Sequence, residues 1–166
     1  MSDAISAAAE QSVRPGSETA AEALSALHHF LDAPTIDRLR RVLGLTSSGT
    51  VRLVDRLEAA GYVERRRGGD GRTTTVTLTE PGREAATRVS EAREAVLVDA
   101  LAALAPEQRE ALEALTGTML VGLMRGPGAT RWTCRLCNTG VCGVKTRECP
   151  VTSAAYARYS TPSASA

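Results

Sequence analysis

The sequence predicts a mainly α-helical protein carrying one small β-hairpin. Three observations lead there. Apolar residues make up 43% of the 166-residue chain and are mostly Ala, Leu and Val, while aromatics are only 3%. That balance suits helices packed through Leu and Ala better than a β-sandwich. From residue 17 to about 124 the apolar residues recur at three- and four-residue spacing, which is the helical period. That period is interrupted once, by two β-prone runs around a glycine-rich turn between residues 62 and 78.

Residues 1–16 are small and polar, end in Pro15 and Gly16, and are expected to form a disordered, mobile arm. Ala20, Leu24, Leu27, Phe30 and Leu31 then mark a first helix, closed by Pro34. Thr35 is placed to cap a short second helix with Ile36, Leu39, Val42 and Leu43 on one face, and Gly44 to stop it. Thr46-Ser47-Ser48 opens a third helix with Val51, Leu53, Val54 and Leu57, running to Gly61. Tyr62–Arg66 and Thr73–Leu78 read as strands flanking the turn Arg67-Gly68-Gly69-Asp70-Gly71. Thr79, with Pro81 just inside, caps a long helix to about Leu104. Pro106 begins another, with an apolar stripe of Leu112, Leu115, Met119, Leu120 and Leu123. The organisation expected is an arm over 1–16, a helical and hairpin domain over 17–125, a cysteine segment over 126–151 and a disordered tail over 152–166.

Two short helices, a glycine turn and a hairpin with a basic tip make a winged helix-turn-helix arrangement. A helix of this length fits the major groove of duplex DNA and presents its N-terminal residues to base edges. Ser47, Ser48 and Thr50 are small hydroxylic residues in the first turn of the third helix; Arg52 can reach a guanine and Arg56 a phosphate. Arg65, Arg66, Arg67 and Arg72 outnumber Glu64 and Asp70 around the hairpin. A wing arginine is attracted by the negative potential of a narrow minor groove. The formal net charge is only +1, so any affinity for DNA must come from local distribution.

The four cysteines, Cys134, Cys137, Cys142 and Cys149, are spaced C-x2-C-x4-C-x6-C, with Gly140 and Gly143 among them and Pro150 after the last. Such a set on turn-rich backbone suits one soft-metal site. Zinc is the first reading, an iron–sulfur cluster the second and an oxidisable thiol switch the third; spacing alone does not separate them. Arg131, Arg135, Lys145 and Arg147 would offset the charge of a bound site, and Trp132 would pack the segment against the helices.

No apolar run spans a membrane, and the first residues lack the basic and apolar regions of a secretory signal, so cytoplasmic residence is expected. No catalytic constellation is present: there is no phosphate-binding glycine loop and no HExxH. A small thiol oxidoreductase using Cys134 and Cys137, or a DNA-independent zinc-binding interaction module, are the alternatives to a regulator.

The stretch LGLTSSGTVRLVDRLE (Leu43–Glu58), Gly61-Tyr62-Val63-Glu64-Arg65, Asp70-Gly71-Arg72 and Leu78-Thr79-Glu80-Pro81-Gly82 resembles the MarR family of bacterial regulators. The likeness extends from about residue 20 to 124. It implies a non-enzymatic winged-helix homodimer, joined through N- and C-terminal helices, on a pseudo-palindromic operator. It also implies base contacts from Ser47, Ser48, Thr50 and Arg52, a minor-groove contact from Arg72, and Asp70 holding the wing arginine. The N-terminal helical region is short for the family and the cysteine segment is an addition to it. The signal sensed, whether a small molecule or a redox change, is therefore open.

Overall fold

The computed structural model describes residues 2–13, 17–67, 73–126, 134, 137–140, 142–143, 146 and 148–159. In chain order the elements are α1 (Ser2–Gln11), α2 (Glu18–His29), α3 (Ile36–Leu43), α4 (Ser47–Ala59), β1 (Val63–Arg67), β2 (Thr74–Leu78), α5 (Glu80–Ala102), α6 (Pro106–Gly122) and α7 (Pro150–Tyr159). None of the described helices is long and apolar enough to cross a membrane.

The caps at Thr35, Thr46 and Thr79 fall where the sequence places them, and Ser17 adds a fourth. Ser17, Thr35, Thr46 and Thr79 each accept a backbone N–H from the first turn of the following helix. Each cap satisfies a donor that the helix itself leaves unpaired. Gly44 ends α3 at φ +68°, a left-handed conformation that glycine adopts without steric cost. The hairpin is antiparallel, with Val63 opposite Leu78, Arg65 opposite Val76 and Arg67 opposite Thr74. A bridge from Thr35 to Thr75 and a bond from the Val76 N–H to the Pro34 carbonyl tie β2 to the start of α3.

One core joins these parts. Leu24 and Leu27 of α2, Leu39 and Val42 of α3, Leu53, Val54 and Leu57 of α4, Val63 and Val76 of the hairpin, and Ala85, Ala86 and Val89 of α5 are all buried in it. Glycine is required at 82: a Cβ there would lie 1.9 Å from the Tyr62 carbonyl oxygen, which accepts a bond from Thr79 N–H. The wing and the long helix are thus set against each other at backbone contact.

Both chain ends depart from expectation. Residues 1–16 were expected to be an arm, yet α1 packs on α5 and α2, with Ala9 and Val13 buried. Alanine-rich helices dock closely without bulky side chains, so low hydrophobic bulk misleads as a sign of disorder. The expected tail from 152 is likewise helical through Tyr159: α7 packs on α6, and Val151 and Thr152 are buried. Arg158 donates to the Val121 carbonyl, and the Tyr159 hydroxyl accepts from Gly126 N–H.

Helix α6 also differs from a core helix. Its stripe is exposed, with Leu115 at 64%, Met119 at 68% and Leu123 at 66% of their full surface. Leu97 and Leu101 of α5, and Leu104 just after it, line an apolar groove of about 610 Å³ with Leu112.

Candidate nucleic-acid interface and cysteine cluster

Helix α4 divides cleanly into two faces. Thr50, Leu53, Val54 and Leu57 are buried, while Ser47, Ser48, Val51, Arg52, Asp55 and Arg56 are exposed. The exposed set recurs at helical spacing and starts at the helix N-terminus, where free N–H groups and the positive end of the helix dipole favour phosphate. Ser47, Ser48 and Arg52 therefore share the surface the sequence assigned to DNA. Arg56 lies at its far edge, beside Ser17, Ala20 and Leu57.

Thr50 does not belong to that surface. It is fully buried and its hydroxyl donates to the Thr46 carbonyl at 2.9 Å, so its side chain is a core and helix-turn element with nothing to offer a base. The small-polar first turn misled here because one of its hydroxyls is turned inward by the helical period. Val51, an apolar residue of the same helix, is 42% exposed beside Arg52.

Arg65 too takes a different part. Its guanidinium bonds Asp55 at 2.5 Å and Glu58 on α4, and its own N–H donates to Glu58 Oε1 at 3.2 Å. The hydrogen bond to Asp55 raises its pKa; burial opposes this, and Glu58 adds to the rise. Arg65 is consequently a bracket between the hairpin and α4. Asp55 and Glu58 are the partners sequence reasoning missed. Their signal was present in two acids one turn apart on α4, on a helix otherwise presenting arginine to solvent.

Along the wing, exposed Arg66 pairs with Glu64 at 2.5 Å and Arg67 is exposed at the end of β1. Asp70 and Arg72, assigned to the tip, lie outside the described residues, as does Trp132.

The four cysteines are partly buried and carry no disulfide. Cys134 and Cys149 pack with Met124, Leu120 and Val151 at the junction of α6 and α7. The Cys137 N–H bonds the Cys134 carbonyl at 3.0 Å, and the Cys142 N–H bonds the Asn138 carbonyl at 3.1 Å. Cys134 and Cys137 share a sulfur hydrogen bond that pushes the Cys134 thiol up and draws Cys137 down to about 7, against the effect of burial. Cys142 and Cys149 are near enough for their charge to be felt at Cys134. The turn brings the Cys134 and Cys137 sulfurs together, but among the described residues no three His, Cys, Asp or Glu side chains converge into a group that could hold a metal ion.

Residues 17–73 match the model of the MarR family. Over those residues the chain is similar to the MarR family. Its fold is shared by RV1404 of Mycobacterium tuberculosis, 24% identical, over 73% of this chain and 83% of that chain, with a TM-score of 0.64. A MarR-family transcriptional regulator from Silicibacter pomeroyi is 26% identical over 72% of this chain and 82% of its own, at a TM-score of 0.53. A MepR variant from Staphylococcus aureus, solved bound to an oligodeoxyribonucleotide, is 19% identical over 74% of this chain and 91% of its own, at 0.52. No curated protein matches the chain. The match ends at residue 73, so it covers α2 to α4 and β1 but neither β2 nor the cysteine segment.

Proposed function

We propose that the chain is a homodimeric, sequence-specific DNA-binding transcriptional regulator acting on a pseudo-palindromic operator, and not an enzyme. The observation that carries this is the exposed face of α4, with Ser47, Ser48 and Arg52 at its N-terminal end and the wing held beside it through Arg65. The DNA-bound MepR structure shares this fold. Ser47, Ser48 and Arg52 read the major groove, Arg56 and Arg67 reach backbone phosphates, and the wing tip, with Arg72 steadied by Asp70, enters the minor groove.

The dimer forms through the bare face of α6 and the groove it makes with α5, a second copy of the chain being the occupant. Leu112, Leu115, Met119 and Leu123 lie on one helix at helical spacing, the pattern of a helix–helix seam. Two recognition helices then sit one helical turn of DNA apart, about 10 bp. In vitro selection on random duplexes tests this. An inverted repeat is expected; only asymmetric sites, or none, would overturn the dimeric operator reading.

The cysteine segment holds a soft metal in this reading, through Cys134, Cys137, Cys142 and Cys149. The donor set is the support: four thiols on short turns, one already drawn toward thiolate. Zinc is favoured and an iron–sulfur cluster is the second choice, with a redox or small-molecule signal acting through it. Protein purified without oxygen separates the two. Colourless protein with one zinc per chain means a closed structural site, and brown protein with sulfide means a cluster. Protein with neither overturns the metal reading and leaves the thiols as the switch.

A further inference from the structure

The turn between Cys137 and Cys142 makes one contact that neither the DNA-binding face nor the metal reading accounts for. The Thr139 hydroxyl donates to the backbone carbonyl of His29, across 110 positions of sequence. His29 is the last residue of α2, where helix carbonyls lack partners within the helix. Thr139 therefore caps the C-terminus of α2 from outside.

His29 is also fixed from the other side. Its Nε2 lies 2.8 Å from the Ser90 hydroxyl on α5. One residue thus joins α2, α5 and the cysteine turn. The opposite flank of the cysteine segment is anchored elsewhere, with Cys134 and Cys149 packed against Met124 and Val151 at α6 and α7. The segment spans from the C-terminal helices to the DNA-binding lobe.

The connection from His29 to α3 makes the site consequential. It passes through Ala33 at φ +39°, a left-handed conformation that a non-glycine residue holds only under constraint. The next residue, Pro34, offers its carbonyl to Val76 N–H at the centre of β2. A shift at the end of α2 is therefore delivered within five residues to the wing.

We infer that Thr139 is a latch through which the cysteine turn holds the end of α2 and, through the Pro34–Val76 bond, the wing. The latch deepens the metal reading above and rests on it for its regulation: gathering the Cys137 and Cys142 sulfurs fixes the turn on which Thr139 stands. Coupling of this kind requires that the segment hold the two wing arrangements unequally in its loaded and empty states.

Thr139→Val removes the hydroxyl at nearly constant shape, and Thr139→Ser restores it. The first readout is amide hydrogen exchange of the full-length protein as purified, in peptides covering residues 24–36 and 73–79. Removing one side-chain hydrogen bond there corresponds to roughly two- to tenfold faster exchange. The Val variant should show it and the Ser variant should not. Unchanged exchange in the Val variant, with its thermal transition intact, overturns the latch whatever the metal content. The second readout is affinity for the selected inverted-repeat duplex with zinc and with chelator. The parent and the Ser variant should differ between the two conditions, while the Val variant should bind zinc at the same stoichiometry yet lose that difference. A Val variant that keeps the parent's zinc dependence also overturns the latch. Parent protein that takes up no zinc or binds no duplex would instead count against the metal or DNA reading, and the exchange result would still judge the latch.

Discussion

Replacing Arg65 with alanine separates two roles that the wing arginines could play. In the structure Arg65 is mostly covered, retaining 26% side-chain exposure, and engages Asp55 and Glu58, which are themselves 54% and 39% exposed. Solvent screening limits such pairs to about 0.2–1 kcal/mol each. The bond from the Arg65 backbone to Glu58 loses its neighbouring charge but not its donor. A loss of about 1 kcal/mol in folding stability is therefore expected from Arg65→Ala. Any effect on DNA is expected to be indirect: the wing loosens and two carboxylates on α4 lose their counter-charge. Arg67→Ala is the comparison. Arg67 stands exposed at the end of β1, so stability should change by no more than about 0.5 kcal/mol. If Arg67 contacts phosphate as proposed, removing its charge reduces the slope of log affinity against log salt by about 0.9. Urea unfolding and salt titrations of duplex binding on both variants give the answer. The bracket is refuted if Arg65→Ala keeps parental stability while its salt slope drops as a direct phosphate contact would require.

Gly82→Ala sets helix propensity against packing. Alanine should gain about 1 kcal/mol in a helix, but its Cβ would meet the Tyr62 carbonyl at 1.9 Å, and forced overpacking costs about 1–3 kcal/mol. Net destabilisation is expected in thermal melts, and a variant as stable as the parent would show that α5 and the wing are not in backbone contact. Thr50→Val should leave the base preference of selected sites unchanged, because the hydroxyl faces Thr46 and not solvent; an altered preference would return Thr50 to the DNA surface. For His29, burial first, then His28 and Arg93, lower the pKa below its usual 6.5. The unfolded chain then binds the extra proton more readily, so this contribution to stability is full above pH 6.5 and is lost as pH falls through the lower folded value. His29→Gln should flatten that acid-side decline, and an unchanged profile would assign it to other groups.

The fold was legible because its signals are local. Ser17, Thr35, Thr46 and Thr79 are caps by chemistry alone, and Gly44 and Gly61 take the positive φ that stops a helix. The exposed face of α4 was legible in part. Helical period places Ser47, Ser48 and Arg52 on one side, but it also turns Thr50 inward, which a reading by polarity alone ignores. Arg65 was misjudged because its partners stand 10 and 7 residues away on another element. No period or spacing reports such a pairing. The ends failed for a related reason: α1 and α7 are held by tertiary packing of small residues, not by apolar bulk that a composition reading would notice.

Helix α6 gives the strongest physical reason for a second copy of the chain. Among the described residues its main packing partner in this chain is α7, and none of its own side chains is buried. A helix of 17 residues with that little support is near the margin of stability in water. Large apolar side chains covering one face would also be a standing liability for aggregation. Pairing two such faces removes both problems, and it places the stability of α6 in the dimer. Folding of the C-terminal half should accordingly depend on protein concentration, as for any state stabilised by association. Leu115→Glu, which puts a charge into the middle of the seam, is expected to yield monomers by sedimentation, to lower helicity by the share of α6, and to abolish cooperative binding to an inverted repeat. The lobe built from α2 to α5 and the hairpin has its own core and should stay folded. A Leu115→Glu protein that remains dimeric with parental helicity would show that the α6 stripe serves another partner.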